Sequence, residues 1–174
     1  MKGVVLAGGV GSRLDPLTKA TNKTLLPIGR YPMIYYPLSN MKQCGIQEIM
    51  IVTNRQDIGD FAAVFGSGSN MGLHIIYAVQ EKPLGIVDAL KEAKEFTKGD
   101  SMMLFLGDCI FEKPIRYFYE GFVNQQQQKG ARVLLYEVPD PQRFGVATVE
   151  GNYIMDIEEK PQKPKSNLAV VGAY

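Results

Sequence analysis

Apolar runs of strand length alternate with helix-like segments along most of this chain, and that alternation constrains its fold more than any other feature. Gly3 to Ala7, Ile46 to Thr53, Leu73 to Val79, Ser101 to Leu106 and Ala131 to Val138 are short, nearly continuous apolar runs. A strand that is apolar on both faces belongs in a sheet covered on both sides. Between the runs, Met33 to Cys44 is predicted helical, with Pro37 in the first turn or at a kink. Arg55 to Phe65 is a second helix candidate. Leu84 to Thr97, preceded by Pro83, repeats Ile86, Ala89, Leu90, Ala93 and Phe96 at helical spacing. Lys113 to Gln128 is the last, with Gln125 to Gln128 as its solvated end. The order β-α-β-α-β-α-β-α-β predicts an α/β fold, a Rossmann-like, three-layer, open and mainly parallel sheet with helices on both faces. After Val138 the texture changes. Gly145 to Glu150, Tyr153 to Glu159 and Leu168 to Tyr174 are strand-like pieces separated by Pro- and Gly-containing turns. The expectation is one domain over residues 1–174, with a first half over 1–138 and the start of a second over 139–174. The sequence stops on Val170-Val171-Gly172-Ala173-Tyr174, inside an apolar strand-like run, so the second half is expected to be incomplete, truncated at its C-terminus.

Bulk properties exclude several classes. The 174 residues suffice for one domain with a sizeable core. A net charge of +1 argues against a broad basic surface for nucleic acid, though not against a local phosphate site. Cys44 and Cys109 form no CxxC pair and are expected to be reduced thiols in a cytoplasmic protein. The apolar start at Gly3 to Ala7 is too short for a signal peptide, and no window reaches the roughly 20 apolar residues of a membrane helix.

The chemistry should lie where strands end. The first apolar run opens directly into Gly8-Gly9-Val10-Gly11-Ser12-Arg13. Glycines let a backbone approach phosphate and aim its N–H groups at it. Arg13 would add a permanent, forked cation. A GxGxxG fingerprint fails because its third glycine would be Leu14, and no Gly-Lys-Ser/Thr follows to make a P-loop. A plain glycine turn with a surface arginine remains the alternative. Lys23 follows a loop containing Pro16 and could close over a triphosphate, or could simply be solvated. Asp108 ends the run Met102 to Leu106 after Gly107, at the edge where open α/β sheets bind ligands. It suits Mg²⁺ beside phosphate oxygens, or else caps the turn that follows. Glu158-Glu159-Lys160-Pro161 follows a strand-like run, so one acid and the lysine should face opposite sides. The carboxylate would then suit sugar hydroxyls and the ammonium a phosphate, although a solvated strand end has the same pattern. His74, the single histidine, is expected to be a structural or surface residue.

Several of these motifs occur together and in order. Leu6 to Leu14, Pro16, Thr18, Lys23 to Ile28, Pro32 to Ser39, Leu106-Gly107-Asp108, Arg143-Phe144-Gly145 and Glu158 to Asn167 span nearly the whole chain. In that combination the sequence resembles the sugar-1-phosphate nucleotidyltransferases, and within them the branch that transfers thymidylyl groups to glucose 1-phosphate in dTDP-rhamnose synthesis. The resemblance implies that Leu6, Gly8, Gly9, Gly11, Ser12 and Arg13 bind the nucleotide. It puts Lys23 at the departing pyrophosphate, and Gln80 and Gly85 at the pyrimidine base. A glutamine amide can present both a donor and an acceptor, as an imide edge requires. It further implies Asp108 on Mg²⁺, Gly145, Glu159 and Val170 on the sugar, and Lys160 on its phosphate. Arg13, Lys23 and Lys160 would be the catalytic cations. The first half would thus bind nucleotide and the second half sugar. The implied partners are dTTP or UTP and a hexose 1-phosphate. A homo-oligomer is compatible, since members of the family often form homotetramers.

Three features depart from the family pattern. Cys109 stands where Asn is usual. Leu84 and Asp88 lie in the stretch that more often reads Pro-Asp-Gly-Leu-Ala-Gln-Ala. The second metal aspartate of the family falls beyond the equivalent of Tyr174. Other readings compatible with these residues are a uridylyl- or guanylyltransferase for another hexose 1-phosphate, and a catalytically weak nucleotide- or sugar-phosphate-binding regulatory module.

Overall fold

The computed structural model describes residues 1–82, 84–124 and 130–174. Pro83 and the glutamines Gln125 to Gln128, placed above before one helix and at the end of another, lie outside the described residues. The chain divides into two compact units, Met1–Gln125 and Gln126–Tyr174.

The first unit runs β1 (Lys2–Leu6), a short hairpin of β2 (Pro27–Ile28) and β3 (Tyr31–Pro32), α1 (Tyr35–Gln43), β4 (Glu48–Thr53), α2 (Ile58–Phe65), β5 (His74–Val79), α3 (Ile86–Glu92), α4 (Lys94–Thr97), β6 (Met102–Leu106) and α5 (Arg116–Val123). Its main sheet has the order β5-β4-β1-β6, and every pairing is parallel. Register is fixed at the centre, where Val5 lies opposite Ile51 on one side and Phe105 on the other. The continuous apolar runs are explained by this position, because Val4, Val5, Ile49, Ile51, Val52 and Phe105 are all buried. Ile34, Leu38, Met41 and Phe61 close the core from the helical side. Pro37 is the third residue of α1, where its missing N–H has no intrahelical partner to lose. The segment expected as one helix over Leu84 to Thr97 is broken at Ala93, whose ψ of −2° ends α3 and starts α4. Its N–H bonds to Leu90 three residues back, a tightened final turn. His74 is exposed at the start of β5, as expected of a surface residue.

The second unit is an antiparallel sheet of β7 (Leu135–Glu137), β8 (Gly145–Glu150), β9 (Tyr153–Glu159) and β10 (Leu168–Val170), in the order β7-β10-β8-β9. This corrects the expectation of a fifth strand from Ala131 to Val138 in the parallel sheet. Only Leu135–Glu137 is a strand, and it pairs antiparallel with β10. A central parallel strand must be buried on both faces, whereas Tyr136 is 68% exposed.

Among the described residues no helix is long and apolar enough to cross a membrane, and neither cysteine is in a disulfide. Cys44 is buried under the end of α1. That burial pushes its thiol above the ordinary range, with Arg116 opposing the shift. A thiol held neutral and out of solvent is a poor nucleophile. In a Cys109→Ser background, Cys44 is therefore expected to resist Ellman's reagent at pH 8 and to react at once in denaturant. Fast labelling of the native chain would show that the α1 terminus opens readily.

Candidate active site

Four strand ends meet at one edge of the parallel sheet. The Ala7 N–H bonds to the Val52 carbonyl at 2.8 Å, the Gly107 N–H to the Leu6 carbonyl at 2.8 Å, and the Gln80 N–H to the Thr53 carbonyl at 2.7 Å. These bonds continue the ladder one residue past each strand. They fix the first residues of the glycine loop, the Asp108 turn and the Gln80 turn relative to one another. The chain builds outward from β1 through β4 to β5, then returns to place β6 on the other side of β1. That reversal is the switch point at which open α/β sheets leave a ligand crevice. A cleft of about 250 Å³ lies here, lined by Leu6, Gly8, Gly9, Lys23, Gln80, Gly85, Ile86, Ala89, Leu106 and Asp108. It is smaller than the roughly 300–1,000 Å³ that encloses a whole small ligand, so it suits one end of a nucleotide with the remainder in the open.

The loop after β1 depends on its glycines. Gly11 has φ of 67°, and a Cβ there would meet the Lys23 Cβ at 2.8 Å and the Thr18 Cγ2 at 2.9 Å. A Cβ on Gly8 would meet the Gln80 Oε1 at 3.0 Å. The backbone thus passes close to both Lys23 and Gln80. Ser12 and Arg13 form a single helical turn just beyond Gly11. Their side chains are exposed and do not line the cleft, and Arg13 has no ion-pair partner among the described residues. Lys23 reaches back instead. Its ammonium pairs with the Asp108 carboxylate from 85 residues away in sequence, with the two side chains 24% and 37% exposed.

The placement of Lys23 depends on residues that the sequence reading missed. Asn22, buried at 4% exposure, donates to the Ala7 carbonyl at 2.8 Å and to the Asp57 carboxylate at 2.6 Å. Its Oδ1 accepts from the Thr24 N–H at 2.9 Å and from the Thr24 hydroxyl at 2.8 Å. Asn54 also donates to Asp57, at 2.6 Å. This network clamps the residues flanking Lys23 to the end of β1. The one hint in the sequence is Asn54 and Asp57, polar residues spaced three apart between an apolar strand and a helix.

Gln80 is buried at 7% exposure. Its Nε2 donates to the Gly85 carbonyl at 3.2 Å and to the Asp88 carboxylate at 3.1 Å. Both amide hydrogens are therefore engaged. This corrects the expectation that the amide offers a donor and an acceptor to a ligand, since only the oxygen is left.

Among the described residues no group of three His, Cys, Asp or Glu side chains gathers as a metal centre. Asp108 is the one carboxylate residue among the described residues that line the cleft. Such a donor fits Mg²⁺, which keeps several waters and takes one or two protein carboxylates plus substrate phosphates.

In the second unit, Gly145 lies opposite Glu159 in the β8–β9 ladder. A Cβ on Gly145 would lie 3.1 Å from the Glu159 Oε2 and 3.8 Å from the Val170 Cβ, so these three residues share one sheet end. Lys160 does not continue the strand alternation expected of it. The strand stops at Glu159, Lys160 adopts φ of 46°, and its ammonium sits 3.1 Å from the Glu159 carboxylate. A left-handed, non-glycine residue at a ladder end is uncommon and often marks a functional constraint.

The open parallel sheet, its switch-point cleft and the glycine turn after β1 define a Rossmann-like α/β protein. The chain belongs to the nucleotidyl transferase family, whose sequence profile matches residues 2–174. It is 43% identical over 180 residues to a glucose-1-phosphate thymidylyltransferase of Neisseria meningitidis serogroup A, covering 100% of this chain and 60% of that protein. To the Mycobacterium tuberculosis protein of the same name it is 39% identical, again over 100% of this chain and 60% of the relative. The chain thus spans about 60% of the length of these curated relatives. A crystal structure of a Bacillus anthracis protein assigned as a glucose-1-phosphate thymidylyltransferase, in complex with sucrose, superposes with a TM-score of 0.94. That protein is 51% identical, and the match covers 99% of this chain and 70% of the other. A UDP-glucose pyrophosphorylase bound to UDP-glucose shares the fold at a TM-score of 0.85 and 23% identity, over 99% and 74% of the two chains.

Proposed function

We propose that this chain carries the nucleotide-binding half and the start of the sugar-binding half of a glucose-1-phosphate thymidylyltransferase, which joins dTTP to glucose 1-phosphate and releases pyrophosphate. The observation that carries the reading is the cleft at the switch point. There a close glycine backbone, the Lys23 ammonium, the Asp108 carboxylate and the Gln80 amide oxygen converge. Full-length relatives of that name support the substrate pair.

In this mechanism a phosphate oxygen of the sugar phosphate attacks the α-phosphorus in line. The bond to the bridging oxygen breaks, and pyrophosphate leaves with the electron pair. The nucleophile is already an anion near neutral pH, so no base is required. Catalysis rests on position and on charge placed where it develops. The loop of Gly8, Gly9, Gly11 and Ser12 would cradle the triphosphate. Arg13 and Lys23 would neutralise the phosphates, and Lys23 would exchange Asp108 for the departing pyrophosphate. Leu6, Gln80 and Gly85 would hold the pyrimidine. Asp108 would hold Mg²⁺, which supplies charge neutralisation on the phosphates when bound. Gly145, Glu159 and Val170 would take the sugar, and Lys160 its phosphate. Residues 1–138 would thus serve the nucleotide and 139–174 the sugar.

The test is protection against heat at equal nucleotide concentration with Mg²⁺. At a hundredfold excess over Kd, dTTP and UTP are expected to raise the unfolding midpoint by roughly 5–10 °C, and GTP and ATP by clearly less. An equal or larger shift with GTP would overturn the pyrimidine assignment. A pyrophosphate-release assay with glucose 1-phosphate then tests the acceptor.

A further inference from the structure

We infer that Asp88 is a specificity-determining positioning residue: it locks the Gln80 side chain as a pure hydrogen-bond acceptor, so that the cleft selects a base whose ring nitrogen carries a proton. The inference rests on the reading of Gln80 as the base-recognising residue and goes beyond it by naming what sets the polarity of that recognition.

The argument starts from the two groups that Gln80 contacts on its far side. The Gly85 carbonyl and the Asp88 carboxylate are both acceptors, at 3.2 and 3.1 Å. Neither can donate at neutral pH, so the NH₂ group must face them and the oxygen must face away. Turning the amide over would point oxygen at two oxygens, one of them charged, in a place where the side chain is only 7% exposed. A buried carbonyl facing acceptors loses its own partner and leaves theirs unmet as well. Asp88 is itself held in place. Its other oxygen lies 3.4 Å from the Lys91 ammonium, one turn along α3. The Gln80 amide and Lys91 together keep its carboxyl below the usual carboxylate range against the opposing effect of burial, so the lock stays charged.

The remaining oxygen lies beside Gly8, at the cleft. The Gln80 Oε1 lies 3.0 Å from where a Cβ on Gly8 would be, and Gly8, Gln80 and Gly85 all line that space. Thymine and uracil carry N3–H between two carbonyls, and a fixed acceptor is complementary to that proton. Cytosine presents a bare N3 lone pair at the same position. A fixed acceptor repels it, and a free amide would turn over to donate to it. The lock therefore sets uracil-type against cytosine-type bases.

UTP and CTP differ only at positions 3 and 4 of the ring, which makes them the probes. Their affinities would be measured by calorimetry on the wild-type chain and on Asp88→Asn, Asp88→Ser and Gln80→Ala, with thermal melts as a control for folding. The wild type is expected to prefer UTP strongly. In Asp88→Asn residue 88 can donate as well as accept, so the Gln80 amide is free to turn over there, and the UTP-to-CTP ratio is expected to fall roughly tenfold, with part of the change a gain in CTP affinity. Asp88→Ser gives the same direction if the asparagine variant does not fold. If Gln80→Ala weakens UTP while both Asp88 variants keep the wild-type ratio, the lock is overturned and the base reading survives. If Gln80→Ala leaves UTP affinity unchanged, the base reading falls and takes the lock with it.

Discussion

Lys23→Ala is expected to weaken dTTP binding by on the order of 10²-fold while leaving thymidine binding nearly unchanged. Each hydrogen bond between an ammonium and a phosphate oxygen contributes about 1.5–3 kcal/mol in a partly enclosed site. Lys23 has a second effect. Its ammonium compensates the Asp108 carboxylate, so its removal leaves an unpaired negative charge beside the position the triphosphate must occupy. Lost attraction and new repulsion add, which places Lys23 above Arg13 in expected effect. Arg13→Ala is expected to cost about tenfold in dTTP binding and to leave the fold untouched, because that side chain is exposed beyond the loop and does not line the cleft. Calorimetry with dTTP and with thymidine separates the charge effect from damage to the cleft. An equal loss for both ligands would mean that Lys23 acts as a packing residue against Gly9 and Gly11. No loss for either would remove it from the phosphate site.

The parts of this site that the sequence made legible are those at the ends of apolar runs. Gly8 and Asp108 are legible because each follows a strand whose buried position on both faces leaves a run of Val, Ile, Leu and Met, whereas Lys23 stands out only as a cation in a long loop and Gln80 only through the family resemblance. The sheet places such ends together whatever the details of packing. The run Ala131 to Val138 shows where that logic stops. Its apolar texture matches the others, yet sheet membership is decided by a partner strand more than thirty residues downstream, Leu168–Val170, and no local periodicity encodes that. The hydrogen-bonded support of the site was illegible for a similar reason. Asn22 sits in a polar loop and reads as a solvated residue, because its partners Ala7 and Asp57 are 15 and 35 residues away. The polarity of Gln80 depends on a helix turn folded back over it. The side on which Lys160 lies is not legible in the sequence, because alternation holds only while the strand lasts and β9 ends one residue before it.

Asn22→Ala is the substitution expected to damage stability most among the residues around the cleft. All four hydrogen-bonding positions of the Asn22 amide are filled: two donors to Ala7 and Asp57, and two lone pairs to the N–H and hydroxyl of Thr24. Ala7 retains a longer bond from Thr53 at 3.3 Å, and Asp57 retains Asn54. The N–H and hydroxyl of Thr24, a residue at 1% exposure, have no other hydrogen-bond acceptor among the described residues. Leaving buried donors unmet costs about 1–3 kcal/mol each, so a total on the order of 3 kcal/mol is expected, or roughly 6–12 °C in the midpoint for a domain of this size. Asn22→Asp separates the cause. It preserves volume and still accepts from Thr24, but it turns an oxygen toward the Ala7 carbonyl and a second carboxylate toward Asp57. If hydrogen-bond donation is what matters, the isosteric aspartate is expected to be at least as destabilising as alanine at pH 7. If shape is what matters, it should be nearly neutral. The same two variants are expected to lose dTTP affinity in step with stability, because the clamp flanks Lys23. A variant that melts early yet binds dTTP normally would show that the Lys23 loop finds its position without Asn22.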